Sequence, residues 1–270
     1  MRVYFKNEEC FVNIPESNLT RHEKYTFNWY PKRDNHEVIF RLLIKYLYKN
    51  FLINESKNII DLGAWIGDNV IPWSYRITGK VFAIDPSPEN INYISELCKL
   101  NDVKNVVPIQ EVISNVIEDV YAPETLIHTS FNLRGGNIKL TTTTLDNLYD
   151  KNILTDIEFL HLDVEGFEQK VLDGSVKLLE ECQPLIVWEN HLNSDDYRGT
   201  IKFLNSFGYK TYLINDDMIG CRSDCTNFFS IPNRMNNLLN SIESINNYFQ
   251  HQKFENNKKY KNKYVLIGDF

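Results

Sequence analysis

Asn58-Ile-Ile-Asp-Leu-Gly-Ala-Trp-Ile-Gly-Asp-Asn-Val70 is the stretch whose reading decides the fold. Its apolar half, Ile59 and Ile60, closes on Asp61; Gly63 and Gly67 follow, then an amphipathic run through Val70, Ile71 and Trp73. The pattern is a strand, a tight turn and the start of a helix, the junction at which open α/β sheets bind ligands of nucleotide type. Glycine permits φ > 0 and leaves no Cβ between backbone and ligand. The next apolar run, Val81-Phe82-Ala83-Ile84, closes on Asp85. That acid stands roughly twenty residues beyond the first glycine, where it suits the two hydroxyls of a ribose. The two runs together predict one half of a nucleoside-binding site.

Further strands and helices alternate around this unit. Upstream, weak alternation (Val3, Phe5; Phe11, Val12, Ile14) predicts a hairpin. A helix follows, with Val38, Ile39, Leu42, Leu43, Tyr46 and Leu47 at helical spacing and Asp34 or Asn35 as its cap. Downstream come a helix near 67–77, a strand over 80–85, a helix through Ile91, Ile94 and Leu97, and a strand from Val106 to Ile113. The order β-α-β-α-β implies a parallel sheet with right-handed crossovers. After an irregular middle with a turn at Gly135-Gly136, strands are expected at 157–163 and 184–189, separated by a helix over 166–181. A helix through Tyr197, Ile201 and Leu204 ends at Gly208, and strands over 210–214 and 227–231 form an antiparallel edge pair. The expectation is a Rossmann-like α/β fold with a seven-stranded doubly wound sheet over residues 55–232. Residues 1–54 form an N-terminal extension, a candidate lid, and 233–270 a C-terminal one with a helix and a short strand.

Composition bounds the partners. With 43% hydrophobic and 24% charged residues the chain can bury a full core. A formal charge of −7 speaks against a nucleic-acid partner, which needs clustered Lys and Arg; only the tail (Lys253, Lys258, Lys259, Lys261, Lys263) offers such a cluster. Five cysteines at irregular spacings make no disulfide framework, and Cys221 with Cys225, the one close pair, lacks the companions of a zinc site. No apolar run reaches membrane-spanning length, and the N-terminus lacks a signal h-region. The sequence therefore predicts a soluble, cytoplasmic protein with no membrane partner.

The glycine spacing narrows the ligand. A dinucleotide fold wants Gly-x-Gly-x-x-Gly over a helix N-terminus. Gly63-Ala-Trp-Ile-Gly67 lacks the middle glycine, Trp65 would crowd a pyrophosphate, and Asp61 would repel one. An acid there suits an amine and a sulfonium, as in S-adenosylmethionine. The ends of two later strands carry Asp163-Val-Glu165-Gly166-Phe-Glu168 and Glu189-Asn190-His191, in the region that lines the crevice of such sheets. Glu165 and Glu168 have a competing structural use, complementing the following helix N-terminus.

Four motifs in this order and spacing resemble the FkbM-type methyltransferases: Asp61-Leu-Gly-Ala-x-x-Gly67, Ala83-Ile-Asp-Pro-Ser-Pro88, Thr144-Leu-Asp-Asn-Leu148 and His161-Leu-Asp-Val-Glu-Gly-Phe-Glu168. The resemblance covers residues 55–232. It implies a class I, S-adenosylmethionine-dependent fold and methyl transfer to an oxygen, often on a sugar or a polyketide. Carried over by position, Asp61, Gly63 and Gly67 would hold the methionine part, Asp85 the ribose, and Glu111 with Val112 the adenine edge. Ala64, Asp68, Asn69, Ser87 and Asp163 are the further cofactor-binding candidates. His161 stands where the family often has lysine.

An alcohol is a poor nucleophile until its proton leaves, so a base or a metal is required. Asp163, Glu165, Glu189 and His191 are the candidate catalytic groups; a positioned base contributes about 10²–10⁴-fold. Alternatively Asp163, Glu189 and Asn190 offer hard ligands for Mg²⁺ or Mn²⁺. The leading function is an S-adenosylmethionine-dependent O-methyltransferase acting on a small-molecule or glycan hydroxyl. A catalytically silent S-adenosylmethionine-binding scaffold is the alternative, and NAD-dependent redox chemistry is disfavoured by the glycine spacing.

Overall fold

The structure, a computed structural model, describes residues 1–15, 29–30, 32–122, 137–192, 196–216, 225–251 and 265–268. Tyr25 and Phe27, aromatic residues of the candidate lid, lie outside them, as do Cys221, the Gly135-Gly136 turn and the lysines of the tail. The N-terminal hairpin pairs β1 (Arg2–Phe5) with β2 (Cys10–Asn13). The central strands are β3 (Asn58–Leu62), β4 (Val81–Asp85), β5 (Val106–Gln110), β9 (Ile157–Leu162), β10 (Leu185–His191), β11 (Tyr209–Ile214) and β12 (Cys225–Pro232). They lie in one sheet with β13 (Leu266–Ile267), in the order β13-β11-β12-β10-β9-β3-β4-β5. A small second sheet joins β6 (Val112–Ile113), β8 (Ile138–Thr143) and β7 (Asp119–Ala122).

Strands β10, β9, β3, β4 and β5 run parallel, and β12 is antiparallel to both its neighbours. Unbroken apolar runs form the middle strands because both faces are covered. One face packs against the hairpin, α1 (Val38–Lys49), α2 (Val70–Ser74), α3 (Pro88–Leu100), α8 (Asn236–Asn240) and α9 (Ile242–Gln250). The other packs against α4 (Leu145–Asp150), α5 (Glu168–Asp173), α6 (Val176–Glu181) and α7 (Tyr197–Ser206). Phe5, Val12, Phe40 and Leu43 share a core with Ile59 and Val81, so the extension is built into the central domain.

Several expectations are corrected. Among the described residues the main sheet has eight strands, since the C-terminal extension adds β13 outside β11; the pair β11 and β12 is antiparallel, and β13 rather than either of them stands at that edge. Among its described residues that extension contains two helices where one was expected. The run 106–113 breaks at Glu111, because β4 ends at Asp85 opposite Gln110 and offers nothing further to pair with. Val112–Ile113 turns away to pair with β8. The helix over 166–181 divides at Gly174, where the chain passes so close to Ser114 that a Cβ would lie 2.3 Å from its carbonyl oxygen. The helix near 67–77 is confined to Val70–Ser74. Neither Asp34 nor Asn35 caps α1; Glu37 takes that position with φ +48°, and Asp34 accepts the Lys6 N–H at 2.6 Å. Gly208, with φ +77°, follows α7 as its composition predicts. Cys225 is disulfide-bonded, whereas Cys10, Cys98 and Cys182 are free, so the expectation of no disulfide does not hold at Cys225. Among the described residues no helix is long and apolar enough to cross a membrane.

Candidate active site

The chain leaves β3 toward β4 and β5 on one side and returns to β9 and β10 on the other. This switch point opens the crevice at the carboxyl ends of the strands. Gly63 (φ +84°) turns the chain there and donates its N–H to the Ile84 carbonyl at 3.0 Å. A Cβ at Gly63 would lie 1.8 Å from the Asp163 carbonyl oxygen, so close approach of β3 and β9 makes glycine obligatory. Ala64 bonds the same Ile84 carbonyl, and Gly67 (φ +70°) completes the turn.

Asp85 organises the second half. Its carboxylate accepts from the N–H groups of Trp65 (2.9 Å) and Ser87 (2.8 Å) and from Asn90 Nδ2 (3.0 Å). Burial pushes its pKa up to about 6 against the pull of those bonds. Ser87 is buried, and its hydroxyl accepts the Asn90 N–H as the cap of α3. Glu111, half-buried, links β5 to β6, and Val112 begins β6. Asp68 and Asn69 face the N-terminal extension: Arg41 reaches both, with 3.0 Å to Asp68 Oδ2, and Arg33 donates to Asn69 Oδ1 at 3.2 Å.

Asp61 and His161, opposite each other in the β3–β9 register, share a 2.8 Å hydrogen bond through Nδ1. The ring stacks on Phe40 and meets the edge of Trp73. Burial alone would lower the His161 pKa, but the hydrogen bond and charge of Asp61 outweigh it and raise it.

Beside this pair, Asp163, Glu165 and Glu189 each bring a carboxylate oxygen within 4.8 Å of the other two. Burial, the charge of Asp163 and a hydrogen bond with it push Glu189 up to about 11. Glu189 is therefore protonated at neutral pH and donates to Asp163, which burial raises to about 6. His191 Nε2 lies 3.5 Å from Glu165, which stands at a φ of +54°. His191 Nδ1 is 3.2 Å from Cys225 Sγ, so the ring lies between the sulfur and the Glu165 carboxylate.

Not every sequence candidate converges here. Asn190 does not join Asp163 and Glu189: successive residues of a strand face opposite ways, and Val187 belongs to one core while Trp188 belongs to the other. Glu189 and His191 thus share a face, and Asn190 points to the opposite one; of the expected metal ligands Asp163 and Glu189 come together, and Glu165 is the third group that could complete a metal site with them. Glu168 serves the fold, accepting the N–H groups of Val164 and Gly166.

With this geometry in view, comparison with known proteins decides the family. The methyltransferase FkbM domain model matches residues 61–211, more than half of the chain. The chain belongs to the FkbM methyltransferase family. An FkbM methyltransferase from Methylobacillus flagellatus KT is similar in structure, with 18% identity, TM-score 0.49, and coverage of 65% of this chain and 44% of that one. Fibrillarin from Aeropyrum pernix, solved with natively bound S-adenosyl-L-methionine, aligns with 13% identity and TM-score 0.43 over 67% of this chain and 68% of that one. In sequence, 60 residues are 38% identical to a tRNA(Phe) (4-demethylwyosine(37)-C(7)) aminocarboxypropyltransferase from Methanocaldococcus jannaschii; they are 22% of this chain and 24% of that protein. The chain thus spans about a quarter of the curated relative it matches. That relative is named for a tRNA.

This member of the family also brings to the site residues that its motifs did not announce. Glu37, Arg41 and Asn227 sit behind the site, and only the i,i+4 spacing of Glu37 and Arg41 on an apolar helix signals a buried pair.

Proposed function

We propose that this chain is an S-adenosylmethionine-dependent O-methyltransferase whose acceptor is a hydroxyl of a sugar, a glycan or a similar hydroxylated metabolite. The observation that carries the reading is the convergence of Asp163, Glu165, Glu189 and His191 beside the Gly63–Gly67 turn. The residues fit the methyl donor by their chemistry: an acid closes β4, Glu189 lies two residues before the end of β10, Asp163 follows β9, and together they suit a cationic ligand bearing ribose hydroxyls. The turn from Gly63 to Gly67 would hold the methionine part, Asp85 the ribose, and Glu111 with Val112 the adenine edge. When bound, S-adenosylmethionine supplies an electrophilic methyl carbon on a sulfonium.

The remaining work belongs to the chain. Asp163, ionised above about pH 6, accepts the hydroxyl proton of the acceptor. Protonated Glu189 donates to the same carboxylate and fixes its orientation. Glu165 and His191 flank the acceptor oxygen, and alignment of such groups is worth roughly 7–11 kcal/mol in favourable cases. A positioned base adds about 10²–10⁴-fold.

Methyl-labelled S-adenosylmethionine incubated with the protein and separate pools of glycans, small hydroxylated metabolites and tRNA tests the reading. Label in base-stable ether linkage on a glycan or metabolite, lost in Asp163→Asn, is the expected result. Label appearing only in tRNA, or in no pool, would overturn it.

A further inference from the structure

Behind the cofactor turn lies a buried polar network formed by Glu8, Arg33, Glu37, Arg41, Asp68 and Asn69. The N-terminal extension supplies the first four and the turn supplies the last two. Arg41 is at its centre. Its Nη2 donates to Asp68 Oδ2 and Glu37 Oε2, both at 3.0 Å, its Nη1 to Asn69 Oδ1, and its Nε to the His36 carbonyl at 3.3 Å. Arg33 holds the Asp68 carbonyl at 2.8 Å, and the Tyr30 hydroxyl holds the Ile66 carbonyl at 2.8 Å. The other Glu37 oxygen accepts from Asn227 Nδ2 at 2.8 Å, and Asn227 is the β12 residue opposite Glu189 in the sheet register.

A buried guanidinium is costly unless its donors are met, so this arrangement is not a default way to pack a helix. The apolar side chains of α1, among them Phe40, Leu43 and Leu47, already join the core. What Arg41 adds is a planar fork that meets two residues of the turn and one carboxylate of its own helix at once. Through Glu37 and Asn227 that fork continues to the strand beside the acid pocket.

We infer that Arg41 is a positioning residue for methyl transfer, which sets the conformation of turn 66–69 from the N-terminal extension and ties it to the acid pocket through Glu37 and Asn227. The inference rests on the methyl-donor reading above. Lysine keeps the charge and loses the fork. Arg234, a surface residue whose Nη2 meets the buried Glu158 Oε2 at 2.8 Å at the start of β9, provides an ion-pair control at the opposite ends of the strands.

Calorimetric titration of the 270-residue chain with S-adenosylhomocysteine, alongside melting curves, tests it in the wild type, Arg41→Lys, Glu37→Gln and Arg234→Met. The wild type and Arg234→Met should bind alike. Arg41→Lys should bind about tenfold more weakly, the loss of one well-made charged hydrogen bond. Glu37→Gln, which keeps shape and removes the charge, should fall between them and also carries the test if Arg41→Lys does not fold. Arg41→Lys and Glu37→Gln that melt lower, as Arg234→Met does, yet bind within twofold of wild type would make Arg41 merely structural and overturn the inference. A wild type that binds no S-adenosylhomocysteine would overturn the donor reading itself, a result distinct from a defect confined to the variants.

Discussion

Glu189→Gln should make the folded protein more stable at neutral pH, although it removes an acid from the centre of the site. Glu189 keeps its proton in the fold because it is buried against the Asp163 carboxylate, whereas in the unfolded chain it ionises near 4.5. A group whose folded pKa is raised contributes stability that is complete below the unfolded value and is lost as pH rises toward the folded one. Between 4.5 and about 11 the wild type therefore loses a factor of ten in its folding equilibrium constant per pH unit from this group. At pH 7 the loss is about 3 kcal/mol, set by the distance from 4.5 to 7 and not by how far above neutrality the folded value lies. Glutamine is neutral in both states and its amide can donate to Asp163 as the protonated acid does, so it escapes the loss. For a chain of this size about 3 kcal/mol is roughly 5–10 °C in Tm. Melting curves of wild type and variant from pH 7 to 9 should show a gap that favours the variant and widens with pH. A variant that melts lower, or a gap independent of pH, would refute the protonated Glu189.

Other perturbations follow from the same geometry. Gly63→Ala combines a φ of +84° with a Cβ 1.8 Å from the Asp163 carbonyl oxygen, so it should cost about 3 kcal/mol or more and lower Tm by upwards of about 6 °C, read by calorimetry. Asp85→Ala strands two backbone N–H groups and the Asn90 amide; it should destabilise by about 3 kcal/mol as well as abolish S-adenosylhomocysteine binding, measured well below its melting temperature. Asp163→Asn should retain cofactor binding and lose about 10²–10⁴-fold in kcat, and turnover at wild-type rate would remove Asp163 from the base role. In the wild type, kcat should rise tenfold per pH unit up to about 6 and then level, as Asp163 gives up its proton.

The central sheet was legible because its strands are buried on both faces and read as unbroken apolar runs ending in acids. The turn was legible because Gly63 must pass against the end of β9, and no other residue type could stand there. What escaped depended on register. Placing the end of the fifth strand at Glu189 hid the fact that β10 continues to His191, and with it the alternation that sends Asn190 to the other face. The His161–Asp61 pair is 100 residues apart in sequence and adjacent only through the β3–β9 pairing. The tie from Glu37 to Asn227 spans 190 residues and joins the N-terminal extension to β12, so no local pattern encodes it. Asp68 and Asn69 follow the second glycine, where position suggests a ligand contact; their side chains turn instead to Arg33 and Arg41 of an extension that the motifs do not cover.

The most direct test of the central claim is calorimetric titration of the wild-type chain with S-adenosylhomocysteine, with NAD as the control ligand and with Mg²⁺ present or absent. A site built around Gly63, Asp85 and Asp163 predicts binding on the order of micromolar, none to NAD, and an affinity indifferent to Mg²⁺. Binding to NAD without binding to S-adenosylhomocysteine would contradict the account from Asp61 onward.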